Sequence, residues 1–545
     1  MNVTGAQTTQ TVNGRERTTM CIHKFILSAA IFVSVQAQAA TFNIRDYGAK
    51  ADKKTNDASA IQRTIDKCSE TGGGIVYCPS GDYLSGVIQL KSNVTLYLEQ
   101  GATIWQSPEP NDFIEVKTDG ALEGDFNAQL IIAHNQENIS ILGQGTIRGQ
   151  GEADLDRRAG SSARDVPKFR IGILLFEECN NVAIRDIKIL YSDTWTVHLK
   201  RCKRVFIDGV TILNNFYRTN ADGIDVHSCR DVHISNCNIT AGDDCICLKT
   251  TKGNPCENIV VTNCTLETVA TAIKFGTASQ GDFRDIRISN CTIRNSTVGI
   301  GIFVKDGGTV ERVAFENISI ETLKEPTLVH DWLRNMIYPV FVDIEKREDG
   351  SPAGAVRDIT FRDIDIYSDN GILIQGMPES EIENATFENI TIRVDKSFDY
   401  SQRTKHTGGK SNPKDARRTI YARKPSYFTL AHIKGLALDN IRVFVKDDVI
   451  AKYPRSALSL NECASGIIRS VFRTADAGEK AEPVVTMHNC RDMLLTNNLA
   501  PLGTRVFLGL TGNKTAHISL AANDLTNAEN KLTQSKDVPK AALKK

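Results

Sequence analysis

Short alternating runs of apolar and polar residues recur along most of the chain at a nearly fixed spacing. Four stretches show the pattern in aligned form: ECNNVAIRDIKI from Glu178, RCKRVFIDGVTI from Arg201, SCRDVHISNCNI from Ser228 and PCENIVVTNCTL from Pro255. Strict alternation with many β-branched residues predicts short strands rather than helices. A repeated strand unit with a fixed period indicates a solenoid.

The period itself is 27 residues, and cysteine and asparagine keep it most faithfully. The residues in phase are Cys202, Cys229 and Cys256, then Cys237, Cys264 and Cys291, then Asn236, Asn263, Asn290 and Asn317. The L-x-x-L-x-L signature of leucine-rich repeats is missing from the sequence, so we predict an all-β fold, a parallel β-helix. Cysteine and isoleucine would stack inward, and asparagine would occupy the bends and bond backbone groups through its side chain. Buried thiols need no disulfides in such a core.

The repeats predict a single parallel β-helix domain over residues 40–525. NDASAIQRTIDKCSE (56–70) has helical spacing and would cap the N-terminal end of the coil. Residues 526–545 are polar and Lys-rich and read as a frayed tail. Two insertions interrupt the period, at 317–363 and 389–440. The second is strongly basic and is either a solvated loop or an arm reaching an acidic sugar; its cations are Arg403, Lys405, Lys410, Lys414, Arg417, Arg418, Arg423 and Lys424.

Residues 1–39 have the pattern of an export signal. Lys24 precedes an apolar run, Phe25–Val35, that is too short to span a bilayer, and Ala37-Gln38-Ala39 has the small-x-small form of a cleavage site. Met20 lies just upstream, so residues 1–19 are an over-extended start. The alternative is a buried core segment. Export predicts a periplasmic or extracellular protein, and we expect no membrane span elsewhere.

Composition excludes some partners. The 545 residues carry 65 basic and 65 acidic side chains, so nothing indicates a nucleic-acid partner. We expect a monomer. The chain has 14 cysteines, but Cys245-x-Cys247 is too tight for a C-x-x-C zinc site, and we expect no metal and no cofactor.

Three aspartates are the candidate chemistry. Asp222 precedes Asp243 and Asp244 by about one turn of the coil, which would place all three on one face. Crowded carboxylates cannot all ionise freely, so at least one should keep its proton to a raised pH. A glycosidase needs one carboxyl group as acid and one carboxylate to activate water. Each aspartate alone would more often be a turn former.

These residues resemble motifs of glycoside hydrolase family 28, the polygalacturonase family. Asn220–Asp225 (NADGID) resembles the N-T-D-G-x-D motif, with Ala221 in place of Thr, and Gly242–Ile246 resembles G-D-D-C-I. IRDYGAKADKKTNDASAIQRTID (44–66) and YSDTWTVHLKRCKRVFIDGVTI (191–212) resemble flanking segments of the family, so the likeness covers about residues 44–320.

The resemblance implies a right-handed parallel β-helix that hydrolyses pectic chains with inversion. It makes Asp243 the general acid, and Asp222 and Asp244 the residues that activate water. An inverting pair is expected to be roughly 6.5–9.5 Å apart, which leaves room for the water. The substrate would be a pectic polysaccharide or oligosaccharide, and Asn220, His227, Lys249 and Lys274 are candidate binding residues.

Two positions depart from the family pattern. Thr271 stands where the family's G-H-G histidine is expected, and Phe303 replaces the arginine of R-I-K, while Lys305 keeps its lysine. In the family that arginine and lysine hold a substrate carboxylate, and phenylalanine cannot form the bidentate fork. Phe303 could stack on a sugar instead, and Lys274 could supply a substitute charge. These changes predict an exo-acting or rhamnogalacturonan-type enzyme rather than an ordinary endo-polygalacturonase.

Two other functions remain open at this point. A polysaccharide lyase would need calcium-binding acids and an arginine base, and a noncatalytic carbohydrate-binding β-helix would have no use for three aspartates on one face. Trp195 is either a core residue or a sugar platform, and His198 is either a buried histidine or a ligand contact.

Overall fold

The chain is described here from a computed structural model, which describes residues 40–114, 128–152, 169–322, 337–348, 350–396, 426–476, 478 and 480–543. Ala40–Lys545 forms one compact unit. The proposed signal at 1–39, residues 323–336 and 349 of the first insertion, residues 397–425 of the second and all eight cations of the basic insertion lie outside the described residues. Within the described part of the chain, no helix is long and apolar enough to cross a membrane.

Forty short strands make up nearly all of the described structure. In chain order they are β1 Thr41–Asn43, β2 Asp52–Asn56, β3 Gly74–Cys78, β4 Gly81–Ser85, β5 Ile88–Gln89, β6 Val94–Leu98, β7 Ala102–Gln106, β8 Ala128–His134, β9 Glu137–Gly143, β10 Thr146–Arg148, β11 Ile171–Glu177, β12 Asn180–Arg185, β13 Lys188–Leu190, β14 Val197–Lys200, β15 Lys203–Asp208, β16 Thr211–Leu213, β17 Ile224–His227, β18 Arg230–Ser235, β19 Asn238–Ala241, β20 Ile246–Thr250, β21 Cys256–Thr262, β22 Thr265–Thr268, β23 Thr271–Ser279, β24 Phe283–Ser289, β25 Thr292–Ser296, β26 Val298–Val304, β27 Thr309–Thr322, β28 Tyr338–Ile344, β29 Ala355–Tyr367, β30 Ile372–Gln375, β31 Ile382–Val394, β32 Phe428–Ala431, β33 Ile433–Val445, β34 Leu458–Asn461, β35 Ala464–Arg473, β36 Val485–His488, β37 Arg491–Thr496, β38 Thr504–Thr511, β39 Ala516–Ala521 and β40 Ala528–Gln534.

Two helices, α1 (Ala58–Glu70) and α2 (Asp447–Lys452), and two 3₁₀ turns, Ile44–Tyr47 and Pro110–Asp112, complete the regular structure of the described residues. The predicted helix is therefore present. It begins after Asp57, and Asn56 Oδ1 accepts the Ala58 N–H at 3.0 Å. Its apolar face, Ile61, Ile65 and Cys68, joins the main core. Its role as a cap of the coil stays a prediction.

The strands pair in parallel with the strands of neighbouring turns, and they form two large sheets of 25 and 15 strands. One turn consists of β17, β18 and β19, and the next of β20, β21 and β22. Val232 lies beside Ile259 and Ile259 beside Ile286, so the inward positions repeat with the period of 27 residues seen in the sequence. The right-handed parallel β-helix is confirmed.

The interior is one continuous apolar core that runs along the coil. All thirteen cysteines of the described residues are buried free thiols, as the sequence predicts. Farther along, Phe315, Phe361 and Phe387 stack face to face, with ring centroids 4.8 and 5.2 Å apart. Burial of such rings is worth roughly 1.5–3 kcal/mol each.

The asparagine ladder differs from the prediction in its bonding. Asn236, Asn263, Asn290 and Asn317 all have positive φ, between 53° and 57°, and occupy the corner between two faces of the coil. Their side chains bond other side chains rather than the backbone. Asn317 Nδ2 donates to Asn290 Oδ1 at 2.8 Å and Asn263 Nδ2 to Asn236 Oδ1 at 3.3 Å, whereas Asn290 Nδ2 donates to the Thr262 hydroxyl at 3.4 Å. Asparagine tolerates the left-handed conformation better than most residues, and this explains why it recurs at the corner.

The expected frayed tail at 526–545 is wrong for its first half. Ala528–Gln534 forms β40, the last strand of the 15-stranded sheet, and pairs with β38. Ala528 is buried and Leu532 packs against the core, so two apolar side chains among polar ones suffice to extend the coil past residue 525.

Candidate active site

The three aspartates lie at the start of neighbouring strands of the 15-stranded sheet. Asp222 comes just before β17, and Asp243 and Asp244 come just before β20. Because Ile224 pairs with Ile246, Asp222 lies beside Asp244 on the adjacent turn. One carboxylate oxygen from each of the three residues lies within 4.8 Å of the others. The one-turn spacing in the sequence therefore does bring the carboxyl groups together.

Two glycines permit this close approach. A Cβ atom at Gly223 would lie 2.4 Å from the Cys245 carbonyl oxygen, and one at Gly242 would lie 2.3 Å from the Arg218 carbonyl oxygen. Any side chain at either position would push the two turns apart. The glycines of the D-G and G-D-D sequences thus set the separation of the aspartates.

Burial and mutual repulsion shift the acid–base properties of the cluster. Asp222 is 2% exposed and Asp243 is partly exposed. Burial, followed by repulsion from Asp225, Asp243 and Asp244, raises the pKa of Asp222 well above its usual value. Burial and the neighbouring Asp244 also raise the pKa of Asp243. Both directions agree with the expectation that a crowded carboxyl group keeps its proton.

Asp244 has a different environment. Lys274 on β23 places Nζ 2.7 Å from Asp244 Oδ2, and the Thr271 N–H donates to Oδ1 at 3.2 Å. Both oxygens of this buried carboxylate are therefore bound by donors, one of them cationic. Such contacts fix the orientation of the carboxylate.

Asp243 is held mainly through the backbone. The Asn220 N–H donates to Asp243 Oδ2 at 3.2 Å, and the Thr268 hydroxyl donates to the Asp243 carbonyl oxygen. Asn220 is in the left-handed conformation, with φ of 57°. The side-chain oxygen of Asn220, a candidate substrate contact from the sequence, accepts a bond from Arg170 Nη1 at 3.2 Å.

A buried ion-pair network that the sequence analysis missed supports this turn. Arg170 lies 3.4 Å from Asp193 through Nε and also donates to the Asp193 and Thr219 carbonyl oxygens. Arg218 donates to the same Asp193 carboxylate, through Nε at 2.9 Å. The one feature of the sequence that could have indicated this network is Asp193 in YSDTWTVHL, a charged residue within a segment that resembles the family.

A second group of side chains beside the aspartates is mostly buried. It consists of Lys249, His227, His198 and Trp195. Lys249 is 2% exposed, lies 3.8 Å from Asp225 Oδ1 and sits 4.8 Å above the Trp195 ring. Its charge lowers the pKa values of Asp222 and Asp243, against the effect of burial. The lysine thus acts on the aspartates electrostatically.

The two histidines stack at 5.8 Å between ring centroids, and Trp195 meets His198 edge-on at 4.8 Å. Burial, then the nearby His227 and lysines, lower the pKa of His198 well below its usual value, so its ring is neutral. Trp195 is buried and is a packing residue of this group rather than an exposed platform.

The two remaining candidates lie on the C-terminal side. Phe303, expected as a sugar platform, is only 8% exposed and packs with Val298, Tyr338, Phe341 and Leu373. Its ring is therefore a buried packing group. Lys305 pairs with Glu345 at 2.9 Å rather than with any of the three aspartates.

Among the described residues, the three aspartates are also the group whose spacing could hold a metal ion. The Lys274 ammonium already binds Asp244 there, so we assign no metal. The nearest oxygens of the three aspartates lie within 4.8 Å of one another, so the three carboxyl groups can contact the same small molecule.

Comparisons with known proteins agree with the fold and identify the family. The profile of glycosyl hydrolases family 28 matches residues 68–409. A probable polygalacturonase from Vitis vinifera is 28% identical over 236 residues, 41% of this chain and 47% of that protein. A probable rhamnogalacturonase A from Aspergillus oryzae is 29% identical over 233 residues, 41% of this chain and 42% of that protein. The chain thus spans about half the length of these curated relatives.

Among solved structures, the fold is similar to that of a family 28 exopolygalacturonase from Yersinia enterocolitica. The TM-score is 0.58 at 17% identity, over 78% of this chain and 79% of that one. At this level of identity the likeness concerns the fold.

Proposed function

Because the chain belongs to glycosyl hydrolases family 28, we propose that it hydrolyses glycosidic bonds of a pectic polysaccharide or oligosaccharide by general acid–base catalysis. The observation that carries the proposal is the cluster of Asp222, Asp243 and Asp244, with one oxygen from each within 4.8 Å and with unlike environments. Carboxyl groups whose surroundings push their pKa values apart are what this chemistry requires.

Asp243 is the proposed general acid. Its raised pKa favours the protonated form, and it is the most exposed of the three, so a glycosidic oxygen can reach it. It donates that proton to the leaving oxygen as the bond from the anomeric carbon to that oxygen breaks. The leaving sugar departs as a neutral alcohol.

Asp244 is the proposed principal base. Lys274 and the Thr271 N–H hold its carboxylate in place, and the carboxylate takes a proton from water as the water oxygen attacks the anomeric carbon. Asp222 assists: its Oδ1 has no hydrogen-bond partner among the described residues and offers an acceptor for the same water. A proton on Asp222, favoured by burial, would leave Asp244 as the stronger base of the two.

For the substrate, we propose a galacturonosyl linkage cleaved by an exo-acting or rhamnogalacturonan-type enzyme. The family's carboxylate-binding arginine is replaced by the buried Phe303, and Lys305 is paired with Glu345. Neither position offers an uncompensated cation to a galacturonate carboxylate. The relative named as a probable rhamnogalacturonase A supports the same direction.

The rival functions have less support. A lyase needs an arginine base, and among the described residues Arg170 and Arg218, which support the turn that carries Asn220, are buried in ion pairs with Asp193. We further propose that the protein is exported through residues 1–39, acts in the periplasm or outside the cell, and is a monomer.

Product analysis tests the proposal. Wild type, Asp243→Asn and a matched control, Asp285→Asn, are incubated with homogalacturonan, rhamnogalacturonan and their oligosaccharides, both with and without chelator. Asp285 is a surface residue paired with Arg312. Chromatography identifies the released sugar, and proton NMR identifies the anomer formed first.

We expect wild type and Asp285→Asn to release the same inverted product and Asp243→Asn to release almost none. A retained anomer would overturn the inverting mechanism. An unsaturated product that disappears in chelator would indicate the lyase. No product from any pectic chain would indicate a binding protein or a substrate outside pectin.

A further inference from the structure

Lys274 lies between an acid of the site and an aromatic ring. On β23 it pairs in register with Cys247 of β20 and Gly301 of β26, and it projects from the outer face of the sheet. Its ammonium is 2.7 Å from Asp244 Oδ2 and 5.8 Å from the centre of the Phe303 ring. A carboxylate and an aromatic ring together fix the position of a cation.

The two departures from the family pattern pack around this lysine. A Cβ atom at Gly301 would lie 2.6 Å from Phe303 Cε2 and 3.0 Å from Thr271 Cγ2. The Phe303 ring thus covers Gly301 and lies beside Thr271. Histidine at 271 or arginine at 303 would bring a further donor to the place where Lys274 now binds Asp244. The substitutions at 271 and 303 and the lysine at 274 therefore form one local arrangement.

The charges that face Asp244 are few and mostly paired. Lys249 of β20 has Asp225 of β17 as a partner, and Lys274 of β23 has Asp244. Burial raises the pKa values of the neighbouring Cys245 and Cys247 thiols, so both are neutral. The remaining acids, Asp222 and Asp243, would repel a negative charge on Asp244 whenever they are ionised. Lys274 is the cation in direct contact that opposes this repulsion.

Resting on the proposed hydrolase function, we propose that Lys274 is a positioning residue that holds the Asp244 carboxylate oriented as the base, and that it does not bind substrate. In this arrangement Lys274, which lies three residues farther along the strand, supplies the charge that is missing at position 271. It also revises the sequence-based expectation that Lys274 contacts the sugar.

Kinetics of Lys274→Met, Lys274→Arg and the control Lys346→Met test the assignment. Lys346 is a surface lysine paired with Glu379 at 3.1 Å, so its variant controls for loss of a lysine ion pair. Each variant is first checked for the wild-type thermal transition. Then kcat and KM are measured across pH on the oligosaccharide that wild type cleaves.

We expect Lys274→Met to lose about 10²-fold in kcat, with KM within about threefold of wild type. Lys274→Met removes the positive charge that lies 2.7 Å from the carboxylate that takes the proton, so the acidic limb of the pH profile should move to higher pH. Lys274→Arg keeps the charge and should recover most of kcat and the original limb. Lys346→Met should behave as wild type.

Failure of this assignment is distinguishable from failure of the proposed function. If wild type cleaves no pectic substrate, the hydrolase proposal fails. If wild type is active but Lys274→Met raises KM with kcat and the acidic limb unchanged, the lysine binds substrate and the positioning role is overturned. If Lys274→Met does not fold, Lys274→Arg decides, because an unshifted acidic limb and wild-type kcat are required of it.

Discussion

The Asn220 N–H donates to Asp243 Oδ2 at 3.2 Å, and this bond connects two successive turns of the coil at the proposed acid. The turn that carries Asn220 is itself held by Arg170, which binds the Asn220 side chain and the Thr219 carbonyl oxygen. A residue on a third turn therefore determines where the Asp243 carboxyl group lies.

We predict that Arg170→Met lowers kcat at least about tenfold with little change in KM, because Asp243 loses its fixed orientation. The buried Asp193 would lose Arg170 and keep only Arg218 as an arginine partner, and the loss of this ion pair should lower the melting temperature as well. The control is Arg230→Met, which removes a half-exposed arginine paired with Glu257 at 3.2 Å and should change neither quantity. Wild-type kcat in folded Arg170→Met would show that the network is structural only.

The raised pKa values of Asp222 and Asp243 predict how stability depends on pH. A carboxyl group whose folded-state pKa is raised contributes stability that is fully present below the unfolded pKa and is lost as pH rises through the folded value. We expect the melting temperature of wild type to fall relative to that of Asp222→Asn as pH rises from about 4 to about 8.

Asp285→Asn gives the opposite sign and serves as the control. A hydrogen bond from Arg312 lowers the pKa of Asp285, so its contribution is lost only as pH falls below the unfolded value. The difference between wild type and Asp285→Asn should stay constant over the same range. A constant difference for Asp222→Asn as well would contradict the raised pKa.

The coil and the grouping of the aspartates were predictable because both depend on period. Strand alternation and the spacing of 27 residues determine which residues face inward, and one turn of separation places Asp222 beside Asp244. Both properties can be read from the local sequence. In a regular solenoid each turn contacts only its neighbours, so the repeat spacing is enough to predict which residues lie side by side.

The contacts between turns were not predictable in the same way. Arg170 is 50 residues from Asn220, and nothing in the sequence marks it as a partner. Phe303 was expected to face a sugar because of its position in a motif, but its apolar neighbours come from β28 and β30 as well as from its own strand. Such contacts depend on which side chains meet across turns, and a period does not specify that.

The burial of Phe303 leads to a prediction that separates packing from sugar binding. Phe303→Ala removes a ring that is 8% exposed and should cost about 3–5 kcal/mol of stability. Phe206→Ala removes a ring that is 38% exposed, and it should change stability by no more than about 0.5 kcal/mol. A large rise in KM for Phe303→Leu with an unchanged melting temperature would instead identify a sugar platform.

At the corner asparagines we predict that glycine is tolerated better than alanine, which is the reverse of the usual order in a strand. Asn317 has φ of 53° within β27, and its Nδ2 bonds Asn290. Both Asn317→Ala and Asn317→Gly lose that bond, but only alanine also carries the cost of a left-handed backbone, about 1–2 kcal/mol. Asn317→Ala should therefore melt below Asn317→Gly. Ser319, an exposed residue of the same strand, should show the ordinary order, with glycine less stable than alanine by about 0.5–1 kcal/mol. Equal orders at the two positions would mean that the ladder acts through its hydrogen bonds and not through backbone conformation.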